Sequence, residues 1–152
     1  MKYKPLIGVI GGSEANPIYI KQAYQVGKLL TEQGAILVCG GLGGIMEAAC
    51  KGATEAGGAT IGILPMDNPK AANDYVTIPI ATGIGTARNK VIINTAEAFI
   101  AIDGKYGTLS EIAYALDVGK TVAGLGTWDI EGVIAADAPQ KAVDIVMGNY
   151  ND

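Results

Sequence analysis

Residues 98–116 read AFIAIDGKYGTLSEIAYAL, and this stretch decides the fold that the chain is expected to adopt. The apolar run Ala98–Ile102 predicts a buried strand, and Ile112–Leu116 lies in a predicted helix. Between them, glycines interrupt the chain at positions 104 and 107. A turn from a strand end into a helix points backbone N–H groups and the positive end of the helix dipole at one place, which favours binding of an anion such as phosphate.

Similar turns follow other apolar runs, so that four strand ends carry glycine or hydroxyl residues. In a parallel sheet the carboxyl ends of the strands lie along one edge, and ligands bind in the crevice there. We therefore expect the four turns to converge on one site for a nucleotide-like ligand. The turns are Gly11–Ser13, Gly40–Gly44, Thr82–Thr86 and Gly104–Thr108.

Strand-length apolar runs alternate with helix-length segments along the whole chain. This alternation predicts a mostly parallel sheet covered by helices on both faces, that is, a single Rossmann-like α/β domain over residues 1–152. Asn16 is expected to cap the first helix, and Gly34 to end it. The predicted strands are Leu6–Ile10, Ala35–Cys39, Thr60–Leu64, Tyr75–Ile80, Ala98–Ile102 and Thr121–Leu125. The predicted helices are Pro17–Gln33, Ile45–Ala56, Thr86–Ala96, Thr108–Val118 and Pro139–Met147.

Composition narrows the classes of function. The net charge is −4, which argues against a nucleic-acid partner, because such proteins usually carry a basic face. The chain has no histidine, so histidine metal sites and Ser-His-Asp triads are excluded. Cys39 and Cys50 lack a metal-type spacing; a disulfide stays open, with free thiols favoured. No stretch is long enough to span a membrane, and we expect a cytoplasmic protein without a membrane partner.

Two common nucleotide fingerprints are absent. The dinucleotide pattern needs G-x-G-x-x-G after the first strand and an acidic residue after the second, but residues 8–13 read GVIGGS and Cys39 is followed by glycines. Gly119-Lys120-Thr121 looks like the end of a P-loop, yet Tyr114 occupies the place of the first glycine. Binding of NAD or FAD is therefore disfavoured.

Charged and hydroxyl residues near the turns have a structural and a functional interpretation. Arg88, the only arginine, follows a glycine-rich loop, and its planar guanidinium suits phosphate; the alternative is a surface ion pair. Thr108 and Glu111 fit a capping box, and they equally suit a phosphate-binding hydroxyl and a carboxylate in the crevice. Asn89 follows Arg88 directly, and Met46 lies at the start of the predicted second helix, where packing is its expected role.

Three separated motifs resemble the LOG-like family. They are Gly40-Gly41-x-Gly43-Gly44-Ile45-Met46, then Arg88, then Gly104-x-x-Gly107-Thr108-x-x-Glu111. The short chain most resembles the subgroup that includes molybdenum-cofactor carrier proteins. The resemblance implies a Rossmann-like fold and a homodimer or larger homo-oligomer. LOG enzymes hydrolyse the N-glycosidic bond of cytokinin nucleoside 5′-monophosphates, and on that activity Arg88 and Glu111 would be the catalytic residues.

The chain departs from the LOG signature Pro-Gly-Gly-x-Gly-Thr-x-x-Glu at two positions. Asp103 stands in place of the proline and Lys105 in place of the second glycine. Together with the short chain, these departures favour a binding or carrier protein for a phosphorylated nucleotide-like or pterin-like molecule over the alternative, a phosphoribohydrolase. Lysine decarboxylation, another label of the family, is not expected, because nothing suggests a pyridoxal-phosphate site.

The expected ligand site combines the turns with the three motifs. No cofactor is required on this interpretation; molybdenum cofactor or a nucleotide would be the bound ligand, and no metal ligand is assigned. The expected ligand-binding residues are Gly11, Gly12, Ser13, Gly40, Gly41, Gly43, Gly44, Met46, Arg88, Asn89, Gly104, Gly107, Thr108 and Glu111.

Overall fold

The computed structural model describes residues 3–148 and 150, and its centre is one seven-stranded sheet. The strands are β1 Leu6–Gly11, β2 Ile36–Cys39, β3 Thr60–Leu64, β4 Ile78–Ala81, β5 Ala98–Ile102, β6 Thr121–Leu125 and β7 Val133–Ala135. Their order across the sheet is β4-β3-β2-β1-β5-β6-β7. Every neighbouring pair is parallel, as the apolar runs predicted.

Helices cover both faces of the sheet and complete a three-layer Rossmann-like fold, which confirms the predicted class. The helices are α1 Pro17–Glu32, α2 Ile45–Glu55, α3 Arg88–Thr95, α4 Tyr106–Asp117 and α5 Pro139–Met147. One core contains residues of α1, α2 and α5, and the other contains residues of α3 and α4 around Phe99. None of the helices in the described part of the chain is both long and apolar enough to span a membrane.

Helix ends follow local chemistry. Asn16 caps α1 as predicted, because its side chain accepts a hydrogen bond from the N–H of Ile18 at 2.9 Å, and Gly34 follows the helix with φ +85°. At the carboxyl end of the short helix α3, the ammonium group of Lys120 donates to three backbone carbonyls, including that of Ala96 at 2.7 Å. Lys120 thus replaces the residue that would cap α3 locally.

Several predicted boundaries were wrong. The fourth strand begins at Ile78 rather than Tyr75, and a 3-10 turn, Gly85–Ala87, precedes α3 where the sequence predicted α-helix. Helix α4 begins two residues before Thr108, so the capping box, which was one of the two interpretations of Thr108 and Glu111, does not form. Strand β7 was missed because its apolar run, Val133–Ala135, is only three residues long and is mostly exposed at the edge of the sheet.

The order in which successive strands are added to the sheet changes direction between β1 and β5. Strands β2, β3 and β4 lie on one side of β1, and β6 and β7 lie beyond β5. Gly11 pairs with Ile102 at the carboxyl ends of these two central strands. The connections leave β1 and β5 toward opposite faces, which opens a crevice at this point of the sheet.

Candidate functional site

A cleft of about 330 Å³ lies at this crevice, and three of the four predicted turns meet there. Residues that line it come from the turns after β1, β2 and β5, together with the start of α3. Predicted site residues in its wall are Gly11, Gly12, Ser13, Gly40, Met46, Arg88, Asn89, Gly107, Thr108 and Glu111. The turn at residues 82–86 supplies none of the lining residues, because its chain forms the approach to α3 instead.

Four predicted glycines lie behind the wall and shape it. At Gly44, with φ +62°, a Cβ would come within 2.4 Å of the carbonyl oxygen of Gly12, so the two turns pack backbone to backbone. At Gly104, with φ +97°, a Cβ would lie 2.3 Å from Oγ1 of Thr108. Gly41 and Gly43 likewise lie outside the lining. Sequence reasoning missed Val9, Ile10, Glu14, Leu42 and Lys105, whose places depend on the turn conformations.

Arg88 is buried beneath the cleft, with 8% of its surface exposed. Its Nε donates to the carbonyl of Ile63 at 2.9 Å, Nη2 to the carbonyl of Gly40 at 3.4 Å, and Nη1 to Oδ1 of Asn89. Burial lowers the pKa of the guanidinium below its ordinary value, and Glu111 opposes that change. The surface ion pair is therefore the wrong interpretation of Arg88: it is a fixed cation at the bottom of a cleft.

Glu111 faces the same cleft from α4 and is equally buried, at 8% exposure. Burial raises the pKa of its carboxyl group to about 7, and the nearby charge of Arg88 works in the opposite direction. The carboxyl group of Glu111 and the guanidinium of Arg88 are more than 4.0 Å apart and do not form an ion pair. Among the described residues, Lys28 and Glu32 form an ion pair, at 4.0 Å. Near neutral pH, Glu111 is thus present in two forms: a protonated carboxyl group, which can donate a hydrogen bond, and a carboxylate.

The first turn of α4 offers unpaired donors to the cleft. Lys105 is the N-cap residue, and its side chain makes no capping bond. The N–H groups of residues 105–108 have no acceptor in the part of the chain that the structure describes, nor does the hydroxyl of Thr108. Helix N-terminal donors left free in this way are a ready anion site. Together with Arg88, they give the cleft the chemistry of a phosphate site.

Asp103 adopts an unusual backbone conformation at the end of β5. Its φ is +49°, and it is the one residue other than glycine with a positive φ among those described. Its N–H donates to the carbonyl of Leu125 at 3.0 Å. Proline fixes φ near −65° and has no N–H, so the proline of the LOG signature does not fit this backbone.

The two cysteines lie near the cleft as free thiols. Both are buried, and their Sγ atoms are 3.5 Å apart. The Sγ of Cys39 accepts a hydrogen bond from the N–H of Gly41, and the pKa of this thiol is raised by Cys50 and by burial. No group of three or more Cys, Asp or Glu residues in the described chain could hold a metal ion.

A second, wider groove of about 880 Å³ runs between α1 and α2 and meets the cleft at Ser13 and Glu14. Lys21 and Lys51 line the groove, but both side chains are exposed to solvent. Although the groove is larger, buried charge and unpaired donors are concentrated in the cleft, and we therefore take the cleft as the candidate site.

Comparison with known proteins gives consistent matches over nearly the whole chain. The model of the SLOG cluster4 family matches residues 4–149. An uncharacterized protein of Archaeoglobus fulgidus is 46% identical over 144 residues, covering 94% of this chain and 95% of that protein. The structure of the molybdenum cofactor binding protein from Rippkaea orientalis is 38% identical, covers 98% of this chain and 99% of its own, and has a TM-score of 0.92. The molybdenum cofactor carrier protein from Chlamydomonas reinhardtii is 35% identical, covering 96% and 98%, with a TM-score of 0.86.

Proposed function

We propose, since the chain belongs to the SLOG cluster4 family, that it is a carrier protein that binds molybdenum cofactor, a phosphorylated pterin, in the cleft beside α4. The observation that carries this proposal is the likeness, over 98% of this chain and 99% of the other, to a molybdenum cofactor binding protein. Molybdenum is part of the cargo on this proposal, and the chain's own residues hold the organic part of the ligand.

The cleft supports this assignment through two kinds of wall. The N–H groups of residues 105–108, the Thr108 hydroxyl and the Arg88 guanidinium would hold the phosphate. The lining also includes Leu42 and Met46, whose apolar side chains offer a surface on which a flat ring could lie. Lys105 is exposed at the rim, where it would add a second cation for the phosphate.

Assembly and location are further parts of the proposal. Family resemblance supports a homodimer or larger homo-oligomer in the cytoplasm, acting on a small phosphorylated molecule rather than on nucleic acid. The exposed aromatic side chains of Tyr106 and Tyr114 on α4 are consistent with a partner copy. Light scattering after size-exclusion chromatography tests the assembly, and a monomer at all concentrations would contradict it.

One observation favours a second function, hydrolysis of a nucleoside 5′-monophosphate. Glu111 has a pKa of about 7 and lies in the same cleft as Arg88. Cleavage of an N-glycosidic bond builds positive charge on the ribose, and a nearby carboxylate stabilises it. The conformation of Asp103, which the signature proline cannot adopt, weighs against this alternative.

Native mass spectrometry of freshly purified protein separates the two functions. We expect the carrier to retain a ligand that shows pterin fluorescence after release and contains molybdenum. Incubation with a panel of nucleoside 5′-monophosphates should then release no ribose 5-phosphate. Release of ribose 5-phosphate, without a co-purified pterin and without binding of added molybdenum cofactor, would contradict the carrier function and support the hydrolase function.

A further inference from the structure

The segment between β6 and β7 contacts the turn at residues 103–106 through side chains that do not line the cleft. Oγ1 of Thr127 donates to the carbonyl of Asp103 at 2.7 Å, and Nε1 of Trp128 donates to the carbonyl of Lys105 at 3.0 Å. The Trp128 ring also lies 6.0 Å from the ring of Tyr106, between centroids. Three consecutive contacts thus connect this segment with the end of β5 and the start of α4.

The positions of these two carbonyls decide where the next N–H groups point. In a trans peptide the carbonyl oxygen and the following N–H point in opposite directions. Because the carbonyl of Asp103 points to Thr127, the N–H of Gly104 points away from it. Because the carbonyl of Lys105 accepts from Trp128 and from the N–H of Leu109, the N–H of Tyr106 points out of the helix toward its N-terminal end.

The turn needs an external restraint for two reasons. Asp103 has φ +49°, a conformation that residues other than glycine adopt only at a cost of about 1 kcal/mol or more. Lys105 provides no side-chain cap for α4. The hydroxyl of Thr127 and the indole of Trp128 supply hydrogen bonds at the two carbonyls that flank Gly104.

We propose that Thr127 and Trp128 are positioning residues that hold the backbone of residues 103–106 so that its N–H groups form the phosphate site. The role of this phosphate site rests on the proposed function, whereas the restraint of the turn does not. Neither side chain reaches the cleft, since neither is among its lining residues. Both act through the turn that they hold.

Three variants and one control test this role. Thr127→Val and Trp128→Phe each remove one donor and retain an apolar side chain, while Thr127→Ser keeps the hydroxyl. Thr54→Val removes a comparable hydroxyl, which donates to the carbonyl of Cys50 at 3.0 Å at the far end of α2. Calorimetry with ribose 5-phosphate and with ribose measures phosphate binding. Backbone ¹⁵N relaxation of the ligand-free protein measures the order of Gly104, Lys105 and Tyr106.

We expect Thr127→Val and Trp128→Phe to lower the order parameters of the turn and to weaken ribose 5-phosphate binding about five-fold each, the equivalent of one neutral hydrogen bond of about 1 kcal/mol. Thr127→Ser should restore both properties, and Thr54→Val should change neither. Unchanged order in both donor variants would overturn the proposal. A loosened turn in a protein that binds no ribose 5-phosphate would uphold the restraint and count against the phosphate site alone.

Discussion

Gly40 and Arg88 are 48 residues apart in the chain, yet the guanidinium of Arg88 lies directly against the Cα of Gly40. The carbonyl of Gly40 accepts from Nη2 at 3.4 Å, and a Cβ on Gly40 would come within 2.6 Å of the same nitrogen. The only arginine in the chain thus occupies a space that exists because residue 40 has no side chain.

This contact predicts the effect of Gly40→Ala. The added methyl group would also lie 2.9 Å from Sδ of Met46, so the guanidinium of Arg88 must leave its present position and its bond to the Gly40 carbonyl. We expect binding of ribose 5-phosphate, measured by calorimetry, to weaken about ten-fold, in proportion to the loss of a charged hydrogen bond of about 1.5 kcal/mol. Gly43→Ala, whose methyl would meet the Ser13 carbonyl at an ordinary 3.4 Å, is the control. Equal affinities in both variants would refute the prediction.

Arg88→Ala should discriminate phosphorylated from dephosphorylated ligands. Only the phosphorylated form offers the guanidinium a charged acceptor, so we expect affinity for ribose 5-phosphate to fall about ten- to one-hundred-fold, while weak binding of ribose is unchanged. Lys90→Ala removes an exposed cation from the same helix, outside the cleft, and should have little effect. A similar loss for both ligands would remove Arg88 from the phosphate site.

Glu111 should make stability depend on pH between about 4.5 and 7. Its folded-state pKa is about 7 against an ordinary 4.5, so the folded protein retains a proton that the unfolded chain loses. Stability conferred by that proton is complete below pH 4.5 and is lost as the pH rises through 7, by about 3 kcal/mol in all at 1.36 kcal/mol per pH unit. Urea denaturation of the wild type and Glu111→Gln at pH 5 and pH 8 measures it. The variant should lack this component, and parallel pH profiles would show that the Glu111 pKa is not raised.

Glu111→Gln also tests the hydrolase alternative. If ribose 5-phosphate is released from nucleoside 5′-monophosphates, the variant should abolish release, because a glutamine amide can neither exchange a proton nor carry the charge that stabilises an oxocarbenium ion. Binding of ribose 5-phosphate should remain, since on the proposed function the N–H groups of residues 105–108 and Arg88 hold the phosphate. Continued release by the variant would exclude Glu111 from catalysis.

Asp103→Pro restores the signature proline and should nonetheless destabilise the protein. A proline cannot adopt φ +49°, and it has no N–H to donate to the carbonyl of Leu125. We therefore expect a loss of about 3 kcal/mol in the free energy of unfolding. Asp103→Asn is the control, because asparagine tolerates the left-handed region, and its effect should be within about 0.5 kcal/mol. Chemical denaturation compares the variants, and a stable Asp103→Pro protein would show that the turn can be rebuilt.

Much of the fold follows from local apolar patterns. Strands β3, β5 and β6 begin and end where their apolar runs predicted, because strands buried on both faces leave an uninterrupted signal. The placement of the turns after β1, β2 and β5 around one cleft also followed from parallel topology. That these residues bind a ligand stays a prediction.

The remaining details depend on tertiary contacts that no local pattern records. Helix α4 begins at Tyr106, and the carbonyls of Asp103 and Lys105 before it accept hydrogen bonds from Thr127 and Trp128, more than 20 residues later. Thr108 and Glu111 matched a capping box, but with the helix starting earlier both side chains enter the cleft. The burial of Arg88 likewise required a glycine and a carbonyl from a distant strand end.

The backbone bonds of Arg88 have a thermodynamic consequence. A free arginine side chain loses rotational entropy equivalent to about 2 kcal/mol when a ligand orders it. Here the carbonyls of Ile63 and Gly40 have already ordered the guanidinium during folding, and Lys120 ties down the opposite end of the helix that begins with Arg88. On the proposed function, a phosphate would therefore meet a preorganised cation, and the entropic penalty that normally accompanies its capture would be transferred from the binding equilibrium to the folding equilibrium.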